Sequence, residues 1–302
     1  MRIGIGLPTR GDGLSPEDIR VWATRADGGP FSSLATLDRV VFPSHEPLIA
    51  LASVIGVTSR IRLLASIVIA PTRETTLLAR QAASLDRLSG GRLSLGVGVG
   101  VRRDDYEATG FAFEGRGRRL DEQLPLLRRI WAGEAVAGGT ERIGVPPARR
   151  GGPELLIGGY IPAVAGRIAA HGDGFMAPGG GEPERMAALW RTIEDAWTAA
   201  GRSGQPRWVG SSYVALGPAA DRQAADYIRS AYAFDPALAE RRLRGIPTTA
   251  SAVRDLIRRQ ADMGLDEFVL RPCSPDLRLV DRLADVIGSV DGTASASADD
   301  EA

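Results

Sequence analysis

The sequence contains no lysine, only one cysteine and only two histidines among its 302 residues. The single thiol, Cys273, excludes a disulfide within the chain and is typical of a protein in a reducing cytoplasm. With only His45 and His171, a metal site built on histidines is not expected. The start is strand-like without the long apolar stretch of a signal peptide, and no run reaches the ~20 apolar residues of a membrane span. We therefore expect a cytoplasmic protein without a metal or a membrane anchor.

The charges of the chain balance, with 37 basic and 37 acidic residues. No excess of either sign indicates nucleic acid or an anionic membrane as a partner. Because lysine is absent, every basic residue is arginine, which we interpret as the coding bias of a GC-rich genome. The length fits one α/β barrel of about 250 residues with extensions.

The stretch from Leu77 to Tyr106 changes its periodicity halfway along. Its first part, up to Leu88, repeats apolar residues at three- and four-residue steps, which predicts an amphipathic helix. Ser89-Gly90-Gly91 ends that helix, since glycine readily adopts the left-handed conformation that closes a last turn. Residues 92–99 are apolar and flanked by glycines, which is typical of a strand buried on both faces. The stretch is therefore a helix-to-strand step of an α/β fold.

Strand-like runs alternate with helical patterns along the chain, which predicts parallel strands joined by crossover helices. Periodicity leaves a closed barrel and an open doubly wound sheet as alternatives, and eight units at this length favour the barrel. The predicted strands cover residues 3–7, 33–41, 61–70, 92–99, 155–157, 174–177, 208–216 and 267–271. We predict one domain over residues 1–290 and a disordered tail over 291–302. Residues 133–152 are predicted to be an irregular insertion after the fourth strand-helix unit, of the kind that forms lids or binding loops.

In such a barrel the active site lies at the carboxyl ends of the strands. The segments that follow the predicted strands contain few nucleophiles and no clustered metal ligands, which favours a bound cofactor over a hydrolytic triad. One of them, Gly158-Gly159-Tyr160-Ile161, lies between a strand and a helix start, where free amides and the helix dipole can hold a phosphate. An ordinary strand-helix turn explains that spacing equally well.

LARQAASLDRLSGGRLSLGVGVG, followed by DDYEATG, resembles the signature of the luciferase-like flavin-dependent oxidoreductases. The similarity extends from IGIGLPTR near the start to EFVLRP at the last predicted strand. It implies a (β/α)8 TIM barrel that uses reduced FMN or the deazaflavin coenzyme F-420. It also implies a homodimer that pairs through barrel-side helices.

The same resemblance implies where the cofactor lies. Its phosphate is expected on the Gly158 to Ile161 turn, and Val99 with Gly100 is expected to line the flavin. A non-prolyl cis peptide between Ser66 and Ile67 is expected to form a bulge behind the flavin ring. The full set of expected cofactor-binding residues is Leu7, Ala65, Ser66, Ile67, Val99, Gly100, Asp105, Gly158, Gly159, Tyr160 and Ile161.

Asp38-Arg39 stands where many relatives, notably the deazaflavin users, have Asp-His, and both residues are candidate catalytic residues. An arginine stays charged and cannot shuttle protons near neutrality. It can instead hold a substrate anion or stabilise the negative edge of a reduced flavin. The exchange argues against histidine-type acid–base catalysis and weakens the deazaflavin alternative without excluding it.

We therefore expect a monooxygenase that uses reduced FMN and oxygen on a small organic substrate, with a separate flavin or deazaflavin reductase as its partner. One alternative is hydride transfer with coenzyme F-420, in which oxygen plays no part. Another is a family member that binds flavin without turnover. The sequence does not identify the substrate, because the loops that would select it contain few diagnostic residues.

Overall fold

Eight parallel strands close into a barrel in the order β1 to β8, so the predicted (β/α)8 architecture is confirmed and the open sheet is excluded. The computed structural model describes residues 1–10, 14–136, 141–179 and 182–296. The strands are β1 Arg2–Gly6, β2 Ser33–Thr36, β3 Arg62–Ile69, β4 Leu93–Gly98, β5 Glu154–Gly158, β6 Gly174–Met176, β7 Arg207–Val214 and β8 Glu267–Pro272.

Helices follow the strands and form the outer ring of the barrel. β4 is followed by two helices, and β7 is followed by three before the chain reaches β8. The helices are α1 Pro16–Gly28, α2 Pro47–Ser53, α3 Thr75–Leu88, α4 Arg103–Thr109, α5 Arg116–Ala132, α6 Ala163–His171, α7 Pro183–Ala199, α8 Ala220–Ala231, α9 Pro236–Leu243, α10 Ala250–Asp262 and α11 Arg278–Ala296. No helix of the described part is long and apolar enough to cross a membrane.

The helix-to-strand step predicted around Gly90-Gly91 is formed by α3 and β4. Both glycines have a positive φ, as the predicted helix stop requires. Leu78 and Leu85 of α3 are buried in the core, whereas Leu77 and Leu88 are exposed on the outer surface. β4 is buried along its whole length, as expected of a strand inside a parallel barrel.

β2 is shorter than predicted, since it ends at Thr36 and the apolar run predicted a strand to Val41. The amides of Val40 and Val41 donate hydrogen bonds to the Asp105 carboxylate, at 3.0 and 2.8 Å. A side chain from the start of α4 therefore satisfies amides that a longer strand would have paired with its neighbour. Nothing in the local sequence pattern reveals this distant acceptor.

The predicted insertion between α5 and β5 contains no helix or strand in its described residues, 133–136 and 141–153. Buried Asp86, near the end of α3, accepts hydrogen bonds from the amides of Ala148 and Arg149 at 2.8 and 3.3 Å. Ala148 and Arg149 therefore lie at the amino end of the barrel, opposite to the strand ends where an active site is expected. The expectation of a lid or binding loop stays a prediction.

The last helix, α11, continues to Ala296 and so includes the first six residues of the segment predicted as a tail. Residues 297–302 lie outside the described residues, and their disorder stays a prediction.

A polar network fills the amino end of the barrel. Arg207, at the start of β7, forms ion pairs with Glu154 of β5 and Glu267 of β8. The Ser33 hydroxyl donates to Glu267 and the Ser94 hydroxyl to Glu154, each at 2.5 Å. The buried arginine and both carboxylates thus find charged or hydrogen-bonding partners within the network.

Candidate active site

Arg271, near the end of β8, reaches across the carboxyl end of the barrel to β3. Its Nη2 donates hydrogen bonds to the carbonyl oxygen and to the hydroxyl of Ser66, each at 2.9 Å. Only 6% of the residue is exposed, and no carboxylate of the described residues forms an ion pair with it. Burial lowers the pKa of Arg271, and the groups that oppose this shift are Tyr213, Tyr227 and Tyr232 rather than an acid.

The peptide bond between Ser66 and Ile67 is cis, as predicted, and the pairing of β3 with β4 changes register here. The Ile67 side chain occupies room that neighbouring glycines leave open. A Cβ at Gly98 would lie 2.5 Å from Ile67 Cδ1, and a Cβ at Gly158 would lie 3.1 Å from Ile67 Cγ2. The bulge is therefore packed tightly against β4 and β5, and its contact with a flavin ring stays a prediction.

Asp38, which follows β2, is buried and bound on the side of β3. Its carboxylate accepts a hydrogen bond from the Ile69 amide and another from Arg73 Nη2, both at 2.9 Å. Arg73 also donates to Glu46 at 2.7 Å. Asp38 thus fastens the loop after β2 to the end of β3, and its predicted catalytic role stays a prediction.

Arg39 contacts several segments of the protein. Its Nη1 donates to the Ala231 carbonyl at 3.1 Å, and its Nε lies 3.7 Å from Asp105 Oδ2. Its guanidinium carbon lies 6.0 Å from the ring centre of Phe234, in the connection between α8 and α9. Arg39 therefore ties that connection to the loops after β2 and β4, and the anion-binding role predicted for it stays a prediction.

The Gly158 to Ile161 turn lies between β5 and α6, as predicted. Among the described residues, no backbone or side-chain acceptor bonds the amides of Gly159, Tyr160 and Ile161, and α6 begins without a side-chain cap. Arg185 donates to the Tyr160 carbonyl at 3.3 Å, and Arg242 donates to the Tyr160 hydroxyl at 3.4 Å. Neither arginine forms an ion pair with a described carboxylate. Free amides, a positive helix end and two arginines fit a phosphate group.

A cavity of about 270 Å³ lies beside Arg271, between the ends of β8, β1 and β2 and helix α8. Its wall is more apolar than polar, with Leu7, Leu37 and Pro272 among the apolar residues. Arg271 and Tyr227 contribute polar groups to the same wall. A concave, mainly apolar pocket with a few fixed polar groups is the usual form of a small-molecule site.

Two ionisable groups of the cavity wall hold their protons near neutrality. Burial raises the pKa of the Cys273 thiol to about 12 and the pKa of the Tyr227 hydroxyl to about 12. Asp226, an exposed residue of α8, is the one carboxylate of the wall in the part of the chain that the structure describes. His45 and His171 do not line the cavity. The cavity is therefore poorly equipped for acid–base catalysis by its own side chains.

The predicted cofactor residues form two groups around the mouth of the barrel. Those of β3, β4 and β5 lie on one side, and Leu7 lies in the cavity wall on the side of β1. Asp105 is 1% exposed and is bonded to protein amides, and the Val99 carbonyl accepts a 2.5 Å hydrogen bond from the Tyr106 hydroxyl. The Asp105 carboxylate and the Val99 carbonyl therefore already have protein partners.

Sequence reasoning assigned no site role to Arg271, Tyr227, Arg185 or Arg242. Arg271 is the last residue of the predicted strand 267–271, and that position at a strand end was the one signal available. The other three lie on helices, and only the closed barrel brings them to its mouth. Within the described part of the chain, no group of His, Cys, Asp and Glu side chains could hold a metal ion.

The model of the luciferase-like monooxygenase family matches residues 1–289. An uncharacterised protein of Mycobacterium tuberculosis is 33% identical over 166 residues, which are 53% of this chain and 57% of that protein. The match thus spans little more than half the length of this curated relative.

Two solved structures share the fold. An F-420-dependent secondary alcohol dehydrogenase in complex with an F-420–acetone adduct superposes with a TM-score of 0.75 at 19% identity, covering 96% of this chain and 98% of that one. The oxygenating constituent of 3,6-diketocamphane monooxygenase from Pseudomonas putida, in complex with FMN, gives 0.71 at 16% identity, covering 95% and 96%. Because the family model covers almost the whole barrel, the chain belongs to the luciferase-like monooxygenase family.

Proposed function

We propose that this protein is a monooxygenase that binds reduced FMN and uses oxygen to oxidise a small organic substrate. The observation that carries the proposal is the scarcity of proton acceptors in the wall of the cavity beside Arg271, where exposed Asp226 is the one carboxylate of the described residues. Oxidation of an alcohol by hydride transfer requires a base that accepts the hydroxyl proton. Tyr227 and Cys273 keep their protons, and an arginine replaces the histidine that many deazaflavin-dependent relatives have at position 39.

The residues present fit the phosphate of the cofactor. The amides of Gly159, Tyr160 and Ile161 would hold that phosphate, with Arg185 and Arg242 beside it. The bulge at Ser66 and Ile67 would support the ring on the side of β3. Reduced FMN supplies the electrons for oxygen activation when it is bound. The apolar wall of the cavity, including Leu7 and Leu37, excludes water from the reacting groups.

The second candidate is hydride transfer with coenzyme F-420, and Asp226 is the observation that favours it. This carboxylate lies in the cavity wall and could accept the proton of an alcohol. The phosphodiester of F-420 would use the same amides and arginines as the phosphate of FMN. The third candidate, binding of flavin without turnover, requires no residue beyond that phosphate site.

Two partners belong to the proposal. A separate reductase would supply the reduced cofactor. A second copy of the chain would pair with the outer surface of α2 and α3, where Ile49 is 66% exposed and Leu77 is 57% exposed. Sedimentation of the purified protein measures the oligomeric state, and a monomer at micromolar concentration would contradict the dimer.

The cofactor proposal is tested by thermal unfolding of the protein with FMN, riboflavin or F-420. A ligand that binds only the folded state raises the melting temperature, and at equal ligand concentration the rise increases with the logarithm of the affinity. We expect FMN to raise it more than riboflavin does, because riboflavin lacks the phosphate. A larger rise with F-420 than with FMN would favour the second candidate.

The reaction is tested under argon and then in air, with reduced FMN and separately with oxidised F-420, which accepts the hydride of an alcohol. A monooxygenase turns over only after oxygen is admitted, whereas hydride transfer continues without it. Product formation under argon contradicts the proposed reaction. Tight binding of FMN without oxygen-dependent turnover over a broad panel of small substrates supports the non-catalytic candidate.

A further inference from the structure

Arg271 is the one arginine of the described residues that is buried, and it differs from the half-buried Arg207 and Arg73 in having no acidic partner among those residues. Arg207 pairs with two carboxylates at the amino end, and Arg73 pairs with Asp38 and Glu46 at the carboxyl end. Arg271 is more buried than either of them, yet no described carboxylate pairs with its guanidinium. A buried charge without a counter-charge is unfavourable, and proteins usually neutralise it with a partner or a ligand.

The guanidinium of Arg271 is fixed on one side and open on the other. Nη2 is held by the carbonyl oxygen and the hydroxyl of Ser66. Nε and Nη1 have no acceptor among the described residues, and neither is among the fully buried polar atoms without a partner. Because Arg271 lines the cavity, these two nitrogens can donate into it. A guanidinium presents such donors in a planar fork that matches the oxygens of an oxyanion.

The rest of the cavity wall offers both a hydrogen-bond donor and apolar contacts to a small amphiphilic molecule. The Tyr227 hydroxyl keeps its proton and can donate a further hydrogen bond to an anion. Leu7, Leu37 and Pro272 offer apolar contact for the remainder of the molecule. A cavity of about 150 Å³ accommodates benzene, so the present volume of about 270 Å³ has room for a substituted ring or a short chain.

We propose that this cavity is the substrate site and that the substrate is a small organic anion, with its oxyanion on Arg271 and its apolar body against Leu7 and Leu37. The role of this anion as a substrate rests on the proposed function, whereas binding of the anion does not depend on the cofactor. Arg271 is then the residue that selects a charged substrate. Its bonds to Ser66 place that charge directly beside the bulge of β3.

The anion site is tested by fluorine NMR titration of the full chain with para-fluorobenzoate and its uncharged analogue para-fluorobenzamide. We expect the wild-type protein to bind the benzoate about tenfold more tightly or better, the usual worth of a charge-assisted hydrogen bond. Parallel titrations with para-fluorobenzenesulfonate and para-fluorophenyl phosphate identify which oxyanion the cavity prefers. Equal affinities for all four probes would overturn the proposal.

Arg271→Met should abolish the preference for the anion while changing the affinity for the amide by less than about twofold. Arg271→Lys should retain part of the preference, since it keeps the charge but loses the planar fork. Arg242→Ala, at the proposed phosphate site, serves as the matched control and should leave the preference intact. Loss of the preference in Arg242→Ala, with its retention in Arg271→Met, would place the anion elsewhere and overturn the proposal.

Leu37→Trp provides a second variant in case substitution of Arg271 prevents folding. The larger side chain fills the cavity from its wall without removing the bonds between Arg271 and Ser66. We expect it to abolish binding of all four probes, and unchanged binding would overturn the proposal.

Binding of FMN is measured separately on the wild-type protein and on Arg271→Met. Unchanged FMN affinity in the variant supports a substrate role, and a loss of FMN affinity with an unchanged anion preference overturns it. If the wild-type protein binds no cofactor but shows the Arg271-dependent preference, the proposed function fails and the anion site stands.

Discussion

Arg207 at the amino end of the barrel and Arg271 at the carboxyl end differ in how their charges are balanced. At the amino end, Arg207 lies between Glu154 and Glu267, so every charge of that network is balanced within the protein. At the carboxyl end, the hydrogen bonds that Arg271 donates within the described part of the chain go to the uncharged groups of Ser66. The charges at the amino end are therefore balanced within the protein, whereas the charge of Arg271 at the carboxyl end would be balanced by the anion that we propose. The difference separates a charge that stabilises the fold from a charge that selects a ligand.

The largest effect is expected at the amino end, from Glu267→Gln. The substitution leaves Arg207 with one carboxylate instead of two and leaves part of its buried charge uncompensated. We expect the free energy of unfolding to fall by about 3 to 5 kcal/mol, as for other broken buried ion pairs. Urea denaturation followed by tryptophan fluorescence measures the change.

The matched control for this variant is Glu240→Gln, which breaks an exposed ion pair with Arg229. Exposed pairs contribute little, and the control should unfold at nearly the wild-type urea concentration. Equal effects of the two substitutions would show that the amino-end network adds no more than a surface pair.

Acid should weaken the same network through Glu154. Burial alone would raise the pKa of Glu154, but the charges of Arg207 and Arg62 and the Ser94 hydroxyl outweigh burial and hold the pKa below its usual value of 4.5. A carboxyl whose pKa is lower in the folded state stabilises the protein above its unfolded pKa. That contribution disappears as the pH falls through the folded pKa.

We therefore expect the free energy of unfolding to decrease as the pH falls below 4.5. Glu154→Gln should show a flatter dependence in that range, and Glu240→Gln should keep the wild-type dependence. Urea denaturation at a series of pH values measures all three proteins. Identical pH profiles for wild type and Glu154→Gln would contradict the lowered pKa.

At the carboxyl end, Arg242→Ala should weaken binding of FMN by about tenfold, because a charge-assisted contact with the phosphate is lost. Binding of riboflavin should not change, since riboflavin has no phosphate. Arg241→Ala removes a neighbouring exposed arginine and is the matched control. Fluorescence titration gives the affinities, and equal losses for FMN and riboflavin would place the phosphate away from Arg242.

The smallest effect on stability is expected from Arg271→Met. The variant loses two hydrogen bonds to Ser66 but also loses an unpaired buried charge, and these changes oppose each other. We expect the free energy of unfolding to stay within about 1 kcal/mol of wild type. In saturating benzoate the wild-type protein should gain stability and the variant should not. A loss as large as that of Glu267→Gln would show that Arg271 mainly braces β3.

Much of the fold could be predicted from the sequence, because each strand-helix unit carries its own periodicity and glycine stops. The end of β2 was missed because Val40 and Val41 bond a carboxylate 65 and 64 residues away. The packing of the insertion could not be derived for a related reason, since its contact with Asp86 is also distant in sequence. Local patterns record which residues are apolar, and they do not record which distant side chain will satisfy an amide.

The site was predictable only in part. The cis peptide after Ser66 was expected from the family resemblance, and the turn from Gly158 to Ile161 was expected from its place between a strand and a helix. Arg271 could not be singled out, since it is one of many arginines in the sequence. Its distinguishing property is deep burial without an acidic partner among the described residues, which arises only once the barrel has closed.

The close packing of Ile67 against Gly98 and Gly158 has a consequence for how the sequence can change during evolution. A Cβ at Gly98 would lie 2.5 Å from Ile67 Cδ1 and one at Gly158 would lie 3.1 Å from Ile67 Cγ2, so a larger residue at either glycine requires the isoleucine to shift. A bulkier residue at position 98 is accommodated more easily together with a smaller one at position 67. Among related sequences, a substitution at position 98 or 158 should therefore occur together with a substitution at position 67.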